Sequence, residues 1–123
     1  MTFAWHHPNY YKKIKKETCS IVWNRIENLS IVGMPDVLGY NTNHKFFTVE
    51  LKVIKGNKIK FSPHQIAFHK THPQNTFILV RTHDQRSLKL VPGSEALGAW
   101  SLKLGFSIAD SWTGVQESFE QIF

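Results

Sequence analysis

Apolar and polar residues alternate with two different periods along this chain. Behind Pro8, the residues Tyr10, Tyr11 and Ile14 recur at helical spacing and predict a short first helix to Glu17, with Tyr10 and Ile14 facing inward. Residues 20–27 alternate β-branched and aromatic positions with polar ones, which predicts a strand. Residues 28–35 read as a loop carrying Gly33. Residues 36–40 and 46–53 form two further strands joined by the polar segment 41–45, a hairpin. Ser62 at an N-cap with Pro63 in the first turn opens a helix that runs to about His72 and stops before Pro73. The apolar run 76–81 predicts a buried strand, and 87–91 alternates like a more exposed one. Pro92-Gly93 breaks the chain before a helix near residues 94–100. A last helix over 111–122 places Trp112, Val115, Phe119 and Ile122 on one face. This order predicts an α/β sandwich around one mixed sheet.

The hairpin brings chemistry with it. A turn centred on Asn43 sets Asp36 directly opposite Glu50, with Cβ atoms about 4.5 to 5.5 Å apart. Two carboxylates that close repel each other unless a cation lies between them, and hard oxygen ligands suit Mg²⁺ or Mn²⁺. Strand alternation puts Glu50 and Lys52 on one face and Val49, Leu51 and Val53 on the other, where they can pack against helices. A cation held this way polarises a phosphate and acidifies a bound water, and Lys52 can orient that water or neutralise developing charge. An isolated E-x-K, by contrast, is commonly a cross-strand surface pair.

Charge sharpens the picture. The net charge is +6, yet residues 1–89 hold 14 of the 15 Lys and Arg against five carboxylates, while residues 90–123 hold one lysine against four. A positive field localised in this way suits a polyanion such as DNA or RNA. With 123 residues and 41% hydrophobic content, and no repeat or linker, the chain is expected to form a single domain over 1–123. It shows no apolar run long enough to span a membrane and no secretory signal in its first ten residues. The single cysteine, Cys19, agrees with a reducing compartment, so a cytoplasmic protein is expected.

Three segments occur in order: Gly33-Met34-Pro35-Asp36-Val37-Leu38-Gly39, Phe47-Thr48-Val49-Glu50-Leu51-Lys52 and Ser62-Pro63-His64-Gln65. Together they resemble the PD-(D/E)XK nuclease superfamily, most closely the small phage-encoded nucleases similar to virus-type replication-repair nuclease domains and to Holliday junction resolvases. The resemblance covers roughly residues 9–92. It implies a restriction-endonuclease-like core, a central mixed sheet flanked by helices. It also implies Asp36 and Glu50 as ligands of Mg²⁺ or Mn²⁺, the Leu51 carbonyl as a further ligand, Lys52 as the catalytic lysine and Gln65 as a helix residue that reaches the site. Many members carry a glutamate on the first helix; Glu17 stands nearest that place, and Glu27 is the alternative. Lys12, Lys13, Lys15 and Lys16 on the first helix, and Lys55, Lys58 and Lys60 after the third strand, are candidate phosphate contacts.

The function expected from these features is metal-dependent hydrolysis of DNA phosphodiesters by an endonuclease selective for structure, such as a branch or junction, in the host cytoplasm if phage-encoded. A non-catalytic nucleic-acid-binding protein of the same fold and an RNA-processing nuclease are the alternatives. Two retained carboxylates speak against mere binding, since they repel phosphate. His69 and His72 are spaced to share a structural zinc, but no cysteine pair supports one. A homodimer is expected, with the aromatic C-terminal segment, including Trp112, Phe119 and Phe123, at its interface.

Overall fold

The computed structural model of the chain describes residues 8–26, 33–98, 100–103 and 105–123. A five-stranded sheet runs in sequence order: β1 (Val22–Arg25), β2 (Val37–Tyr40), β3 (Phe46–Ile54), β4 (Thr76–Thr82) and β5 (Leu88–Pro92). Neighbouring strands are antiparallel except β3 and β4, which are parallel over seven register pairs. A parallel pair needs a long crossover, and this one carries helix α2 (Pro63–Thr71). Helices α1 (Pro8–Glu17) and α4 (Trp112–Glu120) cover one face of the sheet, while α2 and the single turn α3 (Gly93–Ala96) lie on the other.

Alternation within each strand feeds both faces. Against α1 and α4, the buried side chains of Trp23, Phe47, Val49, Leu51, Leu79 and Leu90 meet Tyr10, Ile14, Val115 and Phe119. Phe47 stacks on Phe119 at 4.5 Å between ring centroids, and Trp23 meets both rings edge-on. Each such side chain taken out of water contributes about 1.5 to 3 kcal/mol. The Tyr10 hydroxyl donates to the Leu79 carbonyl at 2.6 Å, and burial holds the phenol well above its ordinary pKa. On the opposite face Ile54, Ile78, Val80, Val91, Ala96 and Trp100 form a smaller cluster toward the β4–β5 side.

The hairpin register matches the expected one from Val37 to Tyr40, but the ladder ends before the expected Asp36–Glu50 pair. Val37 pairs with Val49 and Tyr40 with Phe46 around the turn at Asn43. Asn41 shapes that turn by accepting from the backbone N–H groups of Asn43 and Lys45, and His44 takes the left-handed conformation. The same turn holds the C-terminal helix: the Asn41 amide donates to the carbonyls of Phe119 and Ile122, and the Asn43 amide to that of Glu120. Val115 and Phe119 are therefore core residues of this chain, and Trp112 packs partly against them. This corrects the expectation for Phe119, which is spent on the core and cannot contribute to a dimer interface. Phe106 and Phe123 are the aromatic side chains of this region that remain well exposed. The helix expected near residues 94–100 is also shorter than the pattern implied, ending at Ala96 ahead of Gly98. Among the described residues no helix is long and apolar enough to cross a membrane.

Candidate active site

The site grows from the point where β2 stops short of its neighbour. β2 begins at Val37, which faces Val49, so beyond Val49 the edge of β3 has no main-chain partner from β2. Asp36, the residue just before β2, fills the gap: its carboxylate accepts the Leu51 N–H at 2.8 Å, and its own carbonyl accepts from Ile26. In a strand the N–H and C=O of one residue point to the same edge, so the Leu51 carbonyl lies on the edge that Asp36 caps. Gly33, three residues before Asp36, packs this segment against α2. It sits at a φ of 85° with its α-carbon against the His64 backbone, where a side chain would collide with the start of α2.

Glu50 follows on the opposite face of β3 from Val49 and Leu51. Only 1% of its surface is exposed, and neither carboxylate oxygen has a hydrogen-bond partner. Its ion-pair neighbours stand beyond hydrogen-bond length: Lys52 Nζ is 3.5 Å from Oε2 and His69 Nε2 is 3.8 Å from Oε1. A buried carboxylate left in this state costs free energy unless something else takes its lone pairs. Two buried carboxylates, Asp36 at the edge of β3 and Glu50 on its face, and the Leu51 carbonyl on that edge are the hard oxygen donors that Mg²⁺ or Mn²⁺ prefers, so the chemistry of the donor set fits such an ion.

Lys52 is tightly held by comparison. Its ammonium donates to the Lys60 carbonyl at 2.9 Å and to Gln65 Oε1 at 3.1 Å, and it lies over the Phe61 ring. Gln65 belongs to the capping box of α2: its side-chain oxygen accepts the Ser62 N–H while the Ser62 hydroxyl accepts the Gln65 N–H. The start of α2 thus fixes the amide that fixes the lysine. An ammonium has three N–H donors; two are directed at these oxygens, and the third is left to face Glu50.

The other candidates divide. Lys55, Lys58 and Lys60 line an open groove of about 830 Å³ together with Lys52. Lys12, Lys13, Lys15 and Lys16 are exposed on α1, the layer across the sheet; Lys13 pairs with Glu17 at 3.3 Å and Lys15 lies over Tyr11. Glu17 thus has its ion pair on its own helix, and among the described residues no contact brings it to Asp36 or Glu50. Glu27 lies outside the described residues. His69 and His72 do not converge: His72 is exposed, stacked on Phe68 and bonded to the Phe68 carbonyl, whereas His69 is buried against Glu50. Among the described residues no three His, Cys, Asp or Glu side chains gather as a ready-made cage, so a shared zinc is not supported. His69 beside Glu50 is the feature the sequence reading missed. Its signal was present, because positions 65 and 69 lie one above the other on a helix.

A mixed five-stranded sheet flanked by helices on both faces, with Glu50 and Lys52 on its central strand and Asp36 at the start of the neighbouring one, is a restriction-endonuclease-like α/β core. Among solved structures the chain is similar to that of Archaeoglobus fulgidus Hjc, a Holliday junction resolvase from an archaeal hyperthermophile. The superposition has a TM-score of 0.57 at 13% sequence identity and covers 82% of this chain and 94% of that one, a likeness of fold. No family model matches the sequence, and no curated protein matches it.

Proposed function

We propose that this chain is a divalent-metal-dependent deoxyribonuclease of the PD-(D/E)XK type, similar to small phage nucleases of the virus-type replication-repair group, that cuts phosphodiester bonds in branched or junction DNA. The observation that carries the reading is the buried Glu50 carboxylate, both oxygens unpartnered, set beside Lys52 on the strand that Asp36 caps. The fold shared with a protein named as a Holliday junction resolvase supports the same class of substrate.

Asp36, Glu50 and the Leu51 carbonyl would hold Mg²⁺ or Mn²⁺. Such an ion supplies Lewis acidity toward a phosphate oxygen and a more acidic water. The protein's own part is positioning and charge. Lys52 keeps two N–H groups on Lys60 and Gln65 and turns the third toward the attacking water or a phosphate oxygen, so charge that builds on the phosphate meets a donor already in place. Lys55, Lys58 and Lys60 line the groove that leads away from Lys52 and carry the phosphates on either side of the cut. A two-fold pair of subunits would present two such sites to the two strands of a junction.

The test incubates the purified chain with a four-way junction, linear duplex, single strands, supercoiled plasmid and a duplex RNA, each with Mg²⁺, Mn²⁺ or EDTA. Junction cleavage that requires the metal is expected, fastest among the five substrates. Binding of every substrate with no metal-dependent cleavage would make the chain a non-catalytic binder, and preference for the RNA would overturn the choice of DNA.

A further inference from the structure

His69 is wholly buried, and neither of its ring nitrogens has a hydrogen-bond partner. An imidazole in that state is unusual, because buried polar groups are nearly always paired. Its surroundings explain why the ring stays where it is. Phe61 and Phe68 meet it edge-on, and Gly93 at the start of α3 lies so close to Nδ1 that any side chain there would collide with the ring. The ring is thus wedged between α2 and α3 with Nε2 aimed at Oε1 of Glu50, 3.8 Å away. Glu50 is buried on the same face, and neither of its oxygens has a hydrogen-bond partner. Two orphaned groups facing each other, a few tenths of an ångström beyond hydrogen-bond length, are poised for one small movement.

We infer that His69 is a positioning residue for Glu50: its Nε2–H donates to Oε1 when the carboxylate swings to hold a cation, fixing which oxygen lone pairs face the ion. The inference rests on the reading of Asp36 and Glu50 as metal ligands. Carboxylate ligands are commonly held by such an outer hydrogen bond, and its loss costs about 10- to 100-fold in metal affinity. Lys52 cannot take over the role, since it sits at Oε2 and is anchored to Lys60 and Gln65.

Mn²⁺ affinity, measured by electron paramagnetic resonance on folded protein without DNA, tests this directly. His69→Leu should weaken binding about 10- to 100-fold, and His69→Gln, which restores an N–H donor, should recover most of the loss. A His69→Leu protein that is folded and binds Mn²⁺ like the wild type overturns the inference, as does a His69→Gln protein no better than His69→Leu. A purely structural role would lower thermal stability in both variants and leave Mn²⁺ affinity unchanged. Should His69→Leu fail to fold, nitrogen NMR of the wild-type ring decides: the proton should sit on Nε2, and its resonance should move downfield when Mg²⁺ is added. A proton on Nδ1, or a resonance indifferent to Mg²⁺, contradicts the inference. If the wild type binds no Mn²⁺ and Glu50→Gln changes nothing, it is the metal site itself that fails, whereas loss in Glu50→Gln with none in His69→Leu removes His69 alone.

Discussion

The two faces of β3 are built to different standards. On one, Phe47, Val49 and Leu51 are buried against α1 and α4, and the aromatic rings interlock with Phe119 and Trp23. On the other, two residues away at most, Thr48 Oγ1 and both Glu50 oxygens are buried without partners, and His69 faces them with two unpartnered nitrogens. A strand optimised only for stability would carry an apolar residue at position 50 as it does at 49 and 51. The difference teaches where the chain has accepted cost: one face holds the fold together, and the other leaves polar groups unsatisfied, which on the proposed reading a bound cation would satisfy.

The largest effect should come from the uncompensated face. Asp36→Asn should reduce metal-dependent cleavage of junction DNA by about 10³-fold or more, since a ligand worth several kcal/mol is lost, with DNA binding retained in a gel-shift assay. Leu51→Ala, one residue from Glu50 but on the packed face, should cost about 2 to 5 kcal/mol in urea unfolding. Wild-type-like stability in that variant would erase the contrast between the faces. Lys52→Ala should slow turnover about 10²-fold with the fold intact, because a preorganised donor to the phosphate is lost. Gln65→Ala should slow it about 10-fold by releasing Lys52 and should also cost about 1 kcal/mol through the broken capping box. Its effect should nearly vanish in a Lys52→Ala background, since both act through the same ammonium; full additivity in single-turnover rates would separate the two residues.

How much of this was legible in the sequence follows from range. The register of β2 and β3 was readable because alternation and the polar turn at Asn43 constrain it locally. The two-faced character of residues 49–52 was readable for the same reason. That Asp36 would bond the Leu51 N–H was not, since it depends on where β2 stops. The role of Gln65 came with the resemblance, while its grip on Lys52 follows from the capping box at Ser62. Sequence spacing pairs His69 with His72 as possible zinc ligands, because the carboxylate that His69 faces is reached only through the crossover between β3 and β4. The aromatic C-terminal segment must be covered, and its sequence alone leaves open whether a partner or the chain's own core covers it; the amides of Asn41 and Asn43, some 80 residues earlier, are what tie it to the core.

Glu50 is where the two faces meet in one residue, and Glu50→Gln measured for both stability and cleavage tests the account most directly. Removing a buried carboxylate charge whose oxygens accept no hydrogen bond, and whose ion partner Lys52 keeps its acceptors at Lys60 and Gln65, should raise stability by about 1 kcal/mol, a gain of about 3 to 6 °C in melting temperature without metal. The same preparation should no longer cut junction DNA in Mg²⁺. A variant that melts at or below the wild-type temperature and still cleaves would contradict the account, because Glu50 would then be a structural residue and not a ligand held in waiting.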